Sequence, residues 1–146
     1  MVDKKWIGFE IGSSVLPVER GRLKFFAKAI GETNPVYLDE SAARDAGYAD
    51  LPAPPTFLFT AELDSGAMFG LLDRLGVPIQ NVLHGEQSFE YLGPIVAGDT
   101  MTVTSRIKDI YDKKGGALEF IETESQVANQ RGEPVARLRS LTVVRN

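Results

Sequence analysis

The chain has 146 residues, 43% hydrophobic and 25% charged, which suits the core of one domain and is short for two; residues 1–146 are read as a single domain. A net charge of −4, with no Lys/Arg cluster interleaved with aromatics, argues against nucleic acid or an anionic membrane as partner. There is no cysteine, which excludes disulfides, thiolate metal sites and a cysteine nucleophile, and one histidine cannot build a His-rich metal centre.

The opening residues hold no apolar run of signal-peptide length and no later stretch is long and apolar enough to span a membrane, so a cytoplasmic protein is expected. Trp6, Ile7, Phe9, Ile11 and Val15, punctuated by Gly8 and Gly12, read as a first strand or an extended lead-in. From Glu19 to Ile30, the residues Leu23, Phe25, Phe26, Ala27, Ala29 and Ile30 form one broad helical stripe, which Gly31 stops. Asn34-Pro35 marks a turn, Asp39 can cap a second short helix over Glu40 to Ala46, and Gly47 closes it. Tyr48 to Pro55 is then a Pro-rich loop.

That loop feeds the stretch on which the fold turns. After Pro54 and Pro55, Thr56 can cap a helix, and Phe57, Leu58, Phe59, Leu63, Met68, Phe69, Leu71, Leu72 and Leu75 follow almost without a polar face. One continuous helix from Phe57 to Leu75, roughly 28 Å long and buried nearly all round, is the expectation. Ser65-Gly66 is where such a helix would kink. Four strands should follow, over Asn81 to Tyr91, Thr100 to Ile110, Ala117 to Ala128 and Pro134 to Val144, joined as an antiparallel meander. The first of them places Leu83, Gly85, Gln87, Phe89 and Tyr91 on its more apolar parity. The fold class is α+β, a curved antiparallel sheet wrapped around a long central helix.

The blocks GETNPVYLDESAARDAGYADLPAPPTF and HGEQSFEYLGPIVAGDTMTV resemble the MaoC-like hydratase/dehydratase families, which have the hot-dog fold. They are similar in particular to subunits of the (3R)-hydroxyacyl-acyl-carrier-protein dehydratases. The resemblance implies action on acyl-CoA or acyl-ACP thioesters, converting a trans-2-enoyl group to (3R)-3-hydroxyacyl or the reverse. It implies no tightly bound cofactor and no metal, because the thioester itself acidifies the α-proton. It also implies at least a dimer, either of two like chains or with a catalytic hot-dog partner.

In active members the first block reads Asp-x-Asn-Pro-x-His, whereas this chain has Glu32-Thr33-Asn34-Pro35-Val36-Tyr37. On the resemblance, Glu32 replaces Asp as base or water holder, and Asn34 and Tyr37 orient water or the substrate hydroxyl. A phenol is mainly a hydrogen-bond donor at neutral pH. His84 and Gly85 are candidates for the thioester end of the site, with Gly85 allowing close backbone approach, and Pro55, Phe57 and Phe59 for the acyl tunnel. Two alternatives stand beside this reading. The chain is a non-catalytic subunit whose partner supplies Asp and His, or it is a thioesterase using Glu62 or Asp64 on the central helix. For these two carboxylates a wet subunit interface is the plainer expectation.

Overall fold

A computed structural model describes residues 1–146. Its sheet has five antiparallel strands: β1 (Glu10–Pro17), β2 (Val82–Tyr91), β3 (Thr100–Lys113), β4 (Leu118–Ala128) and β5 (Pro134–Arg145). Their spatial order is β1-β3-β4-β5-β2. Only β3, β4 and β5 therefore form the expected meander. β2 pairs with β5 instead of β3, and the chain crosses the width of the sheet between β2 and β3. A turn-by-turn reading assigns each strand to its sequence neighbour, while pairing across the sheet is decided by non-local packing.

The first apolar residues divide in two. Lys4–Trp6 make a 3₁₀ turn capped by Asp3, and β1 starts only at Glu10. Helix α1 (Arg20–Ala29) and helix α2 (Glu40–Asp45) lie where periodicity and caps put them, with the Asp39 carboxylate accepting from the Ser41 amide at 3.1 Å. The turn Pro94 to Asp99, with the pattern Pro-x-x-x-Gly-Asp, clasps the start of β3. Asp99 Oδ2 accepts from the Val96 amide at 3.0 Å, and Val18, just past the end of β1, donates to the Asp99 carbonyl at 2.9 Å and accepts from the Gly98 amide at 2.8 Å.

The continuous central helix is replaced by two, α3 (Phe59–Asp64) and α4 (Ala67–Leu75). Gly66 adopts φ +69°, which a helix cannot accommodate, and the Ser65 hydroxyl serves both broken ends. It donates to the Glu62 carbonyl at 3.0 Å and accepts from the Ala67 amide at 3.2 Å. Thr56 does not cap. The first turn instead begins at Leu58, and Thr60 Oγ1 donates to the Phe57 carbonyl at 2.8 Å. The pair is not buried all round either, since Leu63 and Phe69 are exposed on one flank.

In β2 a bulge at Gly85 changes which residues share a face. His84 pairs with Thr142 and Gln87 with Ser140, so His84 faces inward with Gln87, Phe89 and Tyr91 instead of outward with Glu86. Across the concave face the apolar interior forms two clusters. One includes Phe57, Leu58, Val103, Val127, Ala136 and Leu138; the other includes Leu71, Leu72, Ile107, Ile121 and Val144. Between them the sheet is polar, with Ser105 beside Ser125 in one row and Thr123, Ser140 and Gln87 in the next. The convex face carries alternating columns of charge. Arg139 bridges Glu122 at 2.7 Å and Glu86 at 3.2 Å, Lys108 reaches Glu122 at 3.0 Å, and Arg137 pairs with Glu90 at 3.5 Å. No helix is long and apolar enough to cross a membrane.

Candidate functional site

The motif loop is set by the end of α1. Gly31, at φ +73°, turns the chain out of the helix, and the Glu32 side chain then folds back on its own loop. Its Oε1 accepts from the amides of Thr33 and Asn34, both at 2.9 Å. Asn34 Oδ1 accepts from the Val36 amide at 3.1 Å and caps the 3₁₀ turn Pro35–Tyr37. Both side chains thus build the turn that presents Tyr37.

Tyr37 is half-buried, and burial raises its pKa, with the Tyr48 phenol and the Glu32 charge adding to the effect. Tyr91, at the far end of β2, donates its hydroxyl to the Pro55 carbonyl. Burial of that end, with a contribution from Tyr37, pushes its pKa up to about 12. Glu32, Tyr37, Tyr48, Tyr91 and Pro55 therefore form one neighbourhood, rich in phenols, where the motif loop meets the segment leading into α3.

His84 belongs to a different place. Its ring meets Phe59 edge-on with centroids 5.3 Å apart, at the end of β2 opposite Tyr91 and roughly 20 Å along the strand from it. There it lines an apolar cavity of about 190 Å³ with Phe59, Leu63, Phe69, Leu72 and Leu83. The close approach that Gly85 permits is to β5, since a Cβ there would lie 2.9 Å from the Leu141 carbonyl oxygen and 2.9 Å from Val143 Cγ2. Phe57 is fully buried against Phe26, centroids 5.5 Å apart, whereas Phe59 lines the cavity under β2.

The two helix carboxylates both have partners within the chain. Asp64 pairs with Arg22 of α1, and Glu62 accepts from the Ser125 hydroxyl, which is 2.7 Å from that of Ser105. The interface expected for them is thus not needed to satisfy either. Sequence reasoning missed Tyr91 and the polar row of Ser105, Thr123 and Ser125. The signal was available, since hydroxyl residues stand there on the strand parity otherwise occupied by Val103, Ile107, Ile121 and Val127.

An antiparallel sheet closed over a helix pair, with the Asn-Pro motif loop beside the head of that pair, defines a hot-dog fold. Residues 5–138 match the family described as "FAS1-like, dehydratase domain region", and the chain belongs to that family. It is 40% identical over 121 residues to a UPF0336 protein of Streptomyces avermitilis, covering 82% of this chain and 79% of that one. The fold is that of a chain in the HadBC (3R-hydroxyacyl-ACP dehydratase) complex from Mycobacterium tuberculosis, with a TM-score of 0.83, 23% identity, and 98% and 99% of the two chains covered. A MaoC-like dehydratase superposes with a TM-score of 0.82 at 25% identity, over 97% of this chain and 42% of that one.

Proposed function

We propose that this chain is the acyl-thioester-binding subunit of a two-chain hydratase/dehydratase that interconverts trans-2-enoyl and (3R)-3-hydroxyacyl groups on CoA or ACP. A hot-dog partner with an intact Asp-x-Asn-Pro-x-His block supplies the acid–base pair. The observation that carries this reading is the state of the motif loop. The positions of the acid–base pair hold Glu32, whose Oε1 accepts from two amides of its own turn, and Tyr37, a phenol that burial keeps a hydrogen-bond donor, so the Asp and His of the active block are both absent.

The surface supports a partner on the β2 side. The outer edge of β2 is unpaired, and Leu63, Phe69, Ile79, Leu83 and Leu92 are exposed along and beside it. A second hot-dog chain laid along this edge would cover them and close the mouth of the cavity under His84.

The test follows the absorbance of enoyl-CoA substrates. The purified chain alone should leave the enoyl band unchanged, the complex with its partner should remove it, and Glu32→Gln in the complex should change the rate less than about threefold. Turnover by the chain alone that Glu32→Gln abolishes would overturn the subunit reading and make Glu32 the base. Release of free thiol from acyl-CoA, which hydration does not produce, would point instead to thioester hydrolysis.

A further inference from the structure

A cavity of about 190 Å³ lies beneath the helix break, between the α3–α4 junction and strands β1, β3 and β4, and it shares no residue with the motif loop. Part of its lining is apolar, made by Ile11, Met68, Leu71 and Val103, and Glu62 and Ser105 stand in the same lining. No Lys, Arg or His faces it. Thr123 also borders the cavity, but its hydroxyl is buried without a partner and closed off, so it plays no part.

The hydroxyl protons next to Glu62 are already committed. A carboxylate only accepts, so the Ser125 hydroxyl donates to Glu62 Oε1. Ser125 has one proton, and its 2.7 Å contact with the Ser105 hydroxyl is therefore donated from Ser105. That leaves Ser105 Oγ with lone pairs alone. Glu62 Oε2 makes no hydrogen bond within the chain and is not closed off as the Thr123 hydroxyl is. Glu62 and Ser105, two hydrogen bonds apart through Ser125, thus present the cavity with two acceptors and a carboxylate that no cation offsets. A primary ammonium answers both needs, with three donors, no acceptor and a positive charge. An alcohol has one proton for two acceptors, a second carboxylate meets Glu62 with like charge, and a quaternary ammonium has the charge but no donor. A divalent metal ion fits poorly, since no three acidic or His side chains converge.

We infer that the cavity beneath the helix break binds a short primary alkylammonium, its head held by Glu62 Oε2 and Ser105 Oγ and its alkyl stem against the apolar part of the lining. At roughly 30 Å³ for each water-sized group the cavity has room for about six, which suits a stem of about four carbons. The bound cation joins α3 to β3 beside the left-handed Gly66, and so steadies the one point at which the helical layer is interrupted. The site stands apart from the acyl-thioester reading and does not depend on it.

The test is calorimetric titration of the protein, in the oligomer in which it is isolated, with n-butylammonium chloride, and with n-butanol, butyrate and n-butyltrimethylammonium as controls. n-Butylammonium should bind saturably at millimolar concentration or below and raise the Tm. Each control should bind at least about tenfold more weakly, as the loss of a charge-assisted hydrogen bond implies. Glu62→Gln should weaken n-butylammonium binding about tenfold or more, and Ser105→Ala about threefold to tenfold. Ser105→Ala gives the answer even where Glu62→Gln disturbs folding, since it removes one small hydroxyl from the sheet. No saturable binding up to about 10 mM overturns the inference. So does equal binding of the quaternary ammonium, or n-butylammonium binding that neither substitution weakens.

Discussion

Glu122 lies on the convex face under Arg139 and Lys108, its side chain 11% exposed. Arg139 donates to both its oxygens, at 2.7 and 3.1 Å, and Lys108 adds a contact at 3.0 Å. Those hydrogen bonds, Arg139 first, outweigh the cost of burial and bring its pKa from an ordinary 4.5 down to about 2. At about 1.4 kcal/mol per pH unit the difference is worth roughly 3 kcal/mol, and about half that once solvent beside the more exposed Arg139 is allowed for. The folded value lies below the unfolded one. The stabilisation is therefore fully present above about pH 4.5 and is lost as pH falls towards about 2. Glu122→Gln should cost roughly 1.5 to 3 kcal/mol at pH 7 in urea unfolding, and less than half of that at pH 3. Urea is the right denaturant because guanidinium would screen the pair under test. A penalty that stays constant from pH 7 to pH 3, or one below about 0.5 kcal/mol at pH 7, would refute the argument.

Gly85→Ala should cost about 1 to 3 kcal/mol, because the new methyl meets the Leu141 carbonyl across the only pairing β2 has; an unchanged urea midpoint would mean that the strand slides freely. Glu32→Ala should lower stability by about 1 kcal/mol through loss of the cap on Thr33 and Asn34, while Glu32→Gln, which keeps an acceptor oxygen, should stay within about 0.5. Equal losses in the two variants would show that charge, and not the cap, holds the turn. Thr123→Val should leave the ligand-free melting temperature unchanged or raise it, and a marked fall would show that the hydroxyl has a partner after all.

Local elements were legible because local rules decide them. Asp39 caps α2, Gly31 and Gly47 end helices at positive φ, and the four later strands begin and end within a few residues of their turn signals. What was not legible depended on contacts between distant segments. Nothing within VLHGEQSFEY says that its partner is β5, and the parity flip at Gly85 becomes visible only once Thr142 and Ser140 are set against it. The helix break could be read as a kink at Ser65-Gly66, but its depth follows from the left-handed Gly66 and the double use of the Ser65 hydroxyl. In the candidate site, residue types along Glu32 to Tyr37 pointed to a motif. That Glu32 would be engaged by the amides next to it depended on the tightness of the turn, which residue types alone do not specify.

The strand order also governs when the molecule can begin to fold on the ribosome. β1 pairs only with β3 and β2 only with β5, so neither early strand has a partner until residues beyond Thr100 exist. A nascent chain that has reached Gly98 holds two strands that do not pair with each other and a helix pair with no sheet beneath it. At roughly 5 to 20 residues per second, synthesis of residues 100–146 takes about 2 to 9 seconds, during which the apolar faces of α3 and α4 stay uncovered. The faces of α3 and α4 therefore wait on β5, the last strand of the sheet in chain order.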